Sequence, residues 1–175
     1  MPSGRTHDRV TLLSLGPTAF IAWALTHELT LSALVVGATL FGGVMFGPDL
    51  DTASRQYRRW GPFRFIWWPY RIAFAHRSRW SHGLLFGAII RVFYFTGMVV
   101  LLAFTALYLH SVLFAGKASN LSDLLHAWQL LADHVDARLD RRAIWAAFIG
   151  LWWGAALHTL LDVLCSIGRR LLDLF

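Results

Sequence analysis

The sequence predicts an all-α fold: an integral membrane bundle of about four spanning helices with one amphipathic interfacial helix beside it. Three observations carry that expectation. Apolar residues make up 57% of the 175 positions and charged residues only 15%, against roughly 45–50% and about 25% in soluble domains. The apolar residues are gathered into four long runs. Nine tryptophans and thirteen phenylalanines suit a chain that crosses two lipid–water interfaces. The length fits one domain, so residues 1–175 read as a single membrane-embedded metal-binding unit.

The chain opens on a polar stretch, Pro2 to Arg9. The first apolar run covers about 10–26, interrupted by Gly16-Pro17, and is at the short limit for a spanning helix. It is not followed by a small-residue cleavage site, so it does not read as a cleavable signal peptide. His27-Glu28 makes a very short turn into the second run, about 29–46, which carries no charge. Gly37, Gly42, Gly43 and Gly47 in and after that run predict close helix packing. The two runs together predict a helical hairpin.

Gly47-Pro48 ends the hairpin, and Asp49-Leu50-Asp51 follows. Residues 52–82 are basic and aromatic, with seven arginines interleaved with Tyr57, Trp60, Phe63, Phe65, Trp67, Trp68, Tyr70 and Trp80. Pro62 and Pro69 forbid one continuous helix there. Arginine mixed with tryptophan predicts a segment in the lipid headgroup layer. The same composition on a soluble chain would suggest nucleic-acid binding. The flanking apolar runs place it at lipid instead, and no nucleic-acid partner is expected. The third run covers about 83–109, broken by Arg91. Residues 121–140 predict an amphipathic helix with Leu124, Leu125, Trp128, Leu131 and Val135 on one face. The fourth run covers about 143–165, and Arg169 and Arg170 follow it. The single cysteine, Cys165, excludes an internal disulfide and a cysteine-based zinc site.

Four spans put the N-terminus, residues 47–82 and the C-terminal tail on one side. That side carries eleven of the sixteen arginines and lysines, against four on the other. The bias predicts a multi-pass protein of the bacterial inner membrane with both termini cytoplasmic. The same topology gathers the polar candidates at one face. His7 precedes the first run, Asp49 and Asp51 follow the second, His76 and His82 precede the third, and His158 and Asp162 lie near the end of the fourth. The i,i+4 spacing of His158 and Asp162 puts them about 40° apart on one helix face. An ionisable pair inside an apolar run normally faces the protein interior and has a partner. His76 and His82 would diverge by about 120° on one helix, which predicts a loop for His76 and a helix start for His82, with Ser81 as N-cap.

Taken together, His7, Asp49, Asp51, His76, His82, His158 and Asp162 form a candidate metal shell. Imidazole and carboxylate donors suit zinc, manganese or iron rather than calcium. Two such ions close together would activate a hydroxide and stabilise a phosphoryl transition state. Asp51 and Arg77 stand as the candidate catalytic residues. Arg77, or Arg79, would clamp a phosphate oxygen bidentately. Ser78 and Ser81 have no activating base of their own, and no nucleophile-elbow pattern is present.

The order Thr6-His7, Phe46-Gly47-Pro48-Asp49-Leu50-Asp51, His76-Arg77-x-x-x-Ser81-His82 and His158-x-x-x-Asp162 resembles bacterial membrane proteins of the YdjM-like family. That family is described as membrane-bound metal-dependent hydrolases. The opening Pro2 to Asp8 and the block Arg55-Gln56-Tyr57 look closer still to a related group of uncharacterised bacterial, often cyanobacterial, metal-binding membrane proteins. The resemblance spans nearly the whole chain. It implies a wider relationship to the all-α zinc-dependent phospholipase C and S1/P1 nuclease fold. It also implies His7, Asp49, His76, His82, His158 and Asp162 as ligands of two or three divalent ions, with Asp51 a ligand or a support to one. Many YdjM-like sequences have a shorter stretch between the Asp and His motifs, where 24 residues intervene here. The function expected is metal-dependent hydrolysis of a phosphoester, of a lipid or amphiphilic kind, at the cytoplasmic membrane face. The competing expectation is a non-enzymatic protein whose metal is structural or sensing.

Overall fold

The computed structural model describes residues 2–74, 78, 83–114, 120–136 and 140–173, with only the backbone of Leu131, His134 and Val135. Every regular element among them is helical. Helix α1 runs Gly4–Thr26 and α2 Leu29–Val44. A 3-10 turn, Pro48–Asp51, leads to α3, Arg55–Arg59. A second 3-10 stretch, Gly61–Trp67, leads to α4, Trp68–Ala73. Helices α5 (Phe86–Phe114), α6 (Leu121–Asp136) and α7 (Arg141–Leu172) complete the order. The chain forms two compact units, residues 1–92 with 142–175, and residues 93–141.

Helix α1 begins earlier than hydropathy predicts, because Ser3 caps it. The Ser3 hydroxyl accepts from the Thr6 N–H at 3.3 Å and sits 2.9 Å from the Thr6 hydroxyl. A polar first turn with a good N-cap is helical even though it is not apolar. His7 therefore lies on the helix rather than before it. Pro17 removes one backbone donor but does not end the helix, so the interruption expected at Gly16-Pro17 is not a break. The end comes at His27, whose left-handed backbone (φ 52°) returns its N–H to the Trp23 carbonyl at 2.8 Å. Glu28 is extended and starts α2, giving the expected hairpin.

Helices α1, α5 and α7 are long and apolar enough to cross a membrane, by length and composition. Helix α2 has 16 residues, about 24 Å of rise, which is short of the ~20 residues that a bilayer core asks for. The first unit is held together by glycine. A Cβ on Gly150 would run into the Val35 carbonyl, one on Gly154 into the Thr39 carbonyl, and one on Gly42 into the Leu151 carbonyl. Residues at four-residue spacing on α7 thus meet residues at four-residue spacing on α2, the geometry in which small residues let backbones approach. Gly37, by contrast, has nothing within 4 Å, so it takes no part in the packing expected of it. At the hairpin turn, Arg142 bonds Glu28 at 2.6 Å. Along α7, Trp153 donates to the Thr18 hydroxyl at 3.2 Å and Trp152 to the Leu84 carbonyl at 3.0 Å.

The basic aromatic segment is two-faced. Phe63, Phe65 and Trp68 are exposed, whereas Tyr57, Ile66, Trp67 and Tyr70 are buried. Trp67 sits edge-on to Phe46, Trp60 and Tyr70 with ring centres 5.3–5.7 Å apart. Arg71 lies over the Tyr57 ring at 4.5 Å. Composition alone assigned the whole segment to the headgroup layer. Its short helical turns instead bury one side as a core for the first unit. In the second unit, Leu124, Ala127 and Trp128 of α6 form a half-buried stripe, and Trp128 meets Phe104 with ring centres 5.2 Å apart. Of the expected amphipathic face, Leu124 and Trp128 lie on that stripe, Leu125 is exposed, and the side chains of Leu131 and Val135 lie outside the described ones; α6 is described to Asp136.

Candidate metal centre

The α1–α2 hairpin runs back on itself, with Gly43 near the end of α2 against Thr11 near the start of α1. His7 is thereby brought beside the Pro48–Asp51 turn. Helix α7 packs on the same end of the hairpin through Gly154, one turn before His158. Three separate parts of the chain converge there.

The rings of His7 and His158 stack face to face, with centres 3.6 Å apart and planes 8° from parallel. His7 Nε2 lies 3.4 Å from Asp162 Oδ1. His158 Nε2 lies 3.4 Å from Asp49 Oδ2 and 3.7 Å from Asp162 Oδ2. His7, His158 and Asp162 each offer a ligand atom within 4.8 Å of the other two. These separations are long for hydrogen bonds, which run about 2.7–3.2 Å, and His158 Nε2 is buried with no hydrogen-bond partner among the described residues. The two 3.4 Å separations equal the edge of a tetrahedron of donors around a cation, and the 3.7 Å one is longer. With metal–ligand bonds of about 2.0–2.1 Å, that edge is about 3.3–3.4 Å. Two imidazole nitrogens and the Asp162 carboxylate within reach of one another, with Asp49 beside His158, are a donor set that suits a divalent ion. The histidines are buried, while Asp162 and Asp49 are 20% and 28% exposed. One side of the centre therefore faces solvent.

Helix α3 holds this arrangement from behind. The last carbonyls of a helix have no partner within it. Here Gln56 donates to the Gly43 carbonyl at 2.8 Å, Arg59 to that of Val44 at 2.8 Å, and Trp60 to that of Met45 at 3.0 Å. Arg59 also grips Asp8 with both guanidinium nitrogens, at 2.8 and 2.6 Å. Those bonds raise the Arg59 guanidinium above its ordinary value. Arg55 adds a contact to Asp8 at 3.1 Å. The residue beside His7 is thus tied to the helix that caps α2. Replacing Arg59 by alanine is expected to lower stability by about 1–3 kcal/mol, the usual range for a charged hydrogen-bond set. Lysine should not restore it, because the fork geometry is lost. Thermal unfolding beside the exposed Arg58→Ala variant checks this.

Of the residues singled out from sequence, His7, His158 and Asp162 come together, and Asp49 lies 3.4 Å from His158. Asp51 is buried two residues beyond Asp49, and Arg91, itself buried, interacts electrostatically with Asp51 and Tyr70. His76, Arg77, Arg79, Ser81 and His82, with the loop and helix start expected there, lie outside the described residues. Asp8, Gln56, Arg59 and Arg91 are positioned at or behind the centre without having been singled out as part of it. Only Arg91 carried a usable signal, an isolated charge in an apolar run.

The fold and this cluster define a helical protein with a His/Asp centre of the kind that holds a divalent metal. Residues 2–172 match the family described as "Uncharacterized metal-binding protein (DUF2227)". The chain belongs to that family. No curated protein and no solved structure matches it.

Proposed function

We propose that the protein is a multi-pass membrane protein whose His/Asp centre hydrolyses a phosphoester of a lipid or amphiphile at the cytoplasmic face. The observation that carries the metal reading is that His7, His158 and Asp162 each offer a ligand atom within 4.8 Å of the other two, with Asp49 3.4 Å from His158. The partly open carboxylate side favours hydrolysis over a closed structural site, since a catalytic metal keeps one position free. The relation to YdjM-like hydrolases and to the phospholipase C fold, drawn from the order of the motifs, belongs to this reading. So do two or three ions, with His76, His82 and Asp51 completing the shell.

In this reading His7 and His158 present neutral nitrogens, and Asp49 and Asp162 supply the compensating charge. A bound zinc, manganese or iron ion supplies Lewis acidity and a water of lowered pKa. Arg77 clamps a phosphate oxygen, and Asp51 supports the reacting face. The substrate class is supported by a cavity of about 790 Å³ along α1, α2 and α7, lined by Pro17, Ile21, Leu25, Trp145, Ile149 and Trp153 among others. Its wall residue Ser14 is seven positions along α1 from His7, and Trp153 five along α7 from His158, about 10 and 8 Å of helix rise. An acyl chain seated there would leave its phosphate toward the centre.

The test is elemental mass spectrometry on detergent-purified protein, followed by phosphate release from phosphatidic acid in mixed micelles. Two or three ions per chain, with release lost on chelation and in His82→Ala, is the expected result. One tightly held ion with no turnover would make the centre structural. No metal after reloading with zinc, manganese or iron would overturn the reading.

A further inference from the structure

We propose that the outward side of residues 58–73 is a docking face for an anionic lipid leaflet, with Phe63, Phe65, Trp68 and Ile72 entering the leaflet while Arg58 and Arg64 hold its phosphates. The proposal rests on the membrane reading of the long helices and is independent of the metal centre. The four apolar side chains are each more than half exposed. Phe65 and Trp68 lie three positions apart across the end of the 3-10 stretch Gly61–Trp67, and Trp68 and Ile72 lie four apart on α4. Both spacings are about one turn of their helix, so the three form one stripe. Ile66, Trp67 and Tyr70, on the other side, fill the core. A segment apolar on both sides belongs beside lipid or protein rather than water.

Charge favours lipid. No carboxylate occurs between Asp51 and Phe74. Arg55 and Arg59 are taken up by Asp8, and Arg71 lies over Tyr57. Arg58 and Arg64 are exposed and have no partner among the described residues. Exposed rings beside free guanidinium groups are the chemistry of a surface that enters an anionic interface. The level in the membrane also fits. Helix α3 caps the last carbonyls of α2 through Gln56, Arg59 and Trp60, so the segment starts where an apolar helix ends.

The experiment follows Trp68 by the emission of wild type minus that of Trp68→Phe. Full-length protein is reconstituted in phosphatidylcholine–phosphatidylglycerol vesicles whose acyl chains carry bromine, a contact quencher, near the glycerol or near the methyl end. Trp68 emission is expected to be lost to the shallow bromines, kept with the deep ones and insensitive to acrylamide in the water. In detergent micelles, quenching by shallow-brominated phosphatidylglycerol should need roughly 30-fold more lipid when Arg58→Gln and Arg64→Gln are combined, about fivefold for each arginine at an anionic surface. An unchanged midpoint would overturn the proposal. Trp68 open to acrylamide would leave the face in water, and Trp68 shielded from acrylamide and bromine alike would put a protein surface or a second copy on it. Either result in a protein that resists carbonate extraction from the vesicles overturns the docking face alone. Release by carbonate would overturn the membrane reading and the proposal with it.

Discussion

Replacing His158 by alanine is expected to weaken zinc binding by roughly two to three orders of magnitude. Structural zinc sites contribute about 10–16 kcal/mol in all, or about 2.5–4 kcal/mol for each of four ligands, and 1.4 kcal/mol is tenfold. The effect is large because His158 touches every other donor. It stacks on His7 and stands 3.4 and 3.7 Å from the two carboxylates. Its removal also leaves Asp49 and Asp162 facing one another without the ring between them. Isothermal titration with zinc, with helix content checked by circular dichroism, measures the loss. Zinc retained at wild-type affinity would show that the ion is held elsewhere.

Replacing Gly154 by leucine is expected to abolish the folded state in detergent, and alanine to destabilise it by about 1–3 kcal/mol, the usual cost of overpacking. The added carbon meets the Thr39 carbonyl and the Gly43 N–H. These are backbone atoms of a helix and have no rotamer to change, so the only relief is separation of α2 from α7. That separation would also pull His158 away from the hairpin that carries His7. Gly37→Ala is the matched control. It has open space around it, and alanine in a helix is favoured over glycine by about 1 kcal/mol, so its unfolding temperature should hold or rise. Cooperative unfolding of Gly154→Leu at the wild-type temperature would refute the crossing.

The parts of the centre that sequence exposed are those with local periodicity or a topological reason to converge. His158 and Asp162 lie one turn apart on any helix, and an even number of apolar runs brings His7, Asp49 and that pair to one end. Gln56, Asp8 and Arg59 had no such signal. Their partners are the unpaired carbonyls at the end of α2 and a carboxylate on α1, and neither exists as a target until α3 has folded against them. The buried Trp67 and Tyr70 were hidden for a related reason. A run of tryptophan and arginine does not reveal which side chains turn inward when the backbone makes short 3-10 turns rather than one helix. The start of α1 was misplaced because hydropathy does not see a serine cap.

The distance along the chain between the stacked histidines and their carboxylates has a thermodynamic consequence. A cation shared by His7 and Asp162 joins positions about 155 residues apart and so fastens nearly the whole polypeptide into one ring. In the chain-entropy description, a cross-link closing a loop of that size removes about 5 kcal/mol of freedom from the unfolded ensemble. That gain depends on where the ion sits in the sequence and not on which ion it is. A chelator would then act on this protein as a reductant acts on a disulfide-stapled one. It would open a long loop and lower the resistance of the whole first unit to unfolding, even while every helix kept its own hydrogen bonds.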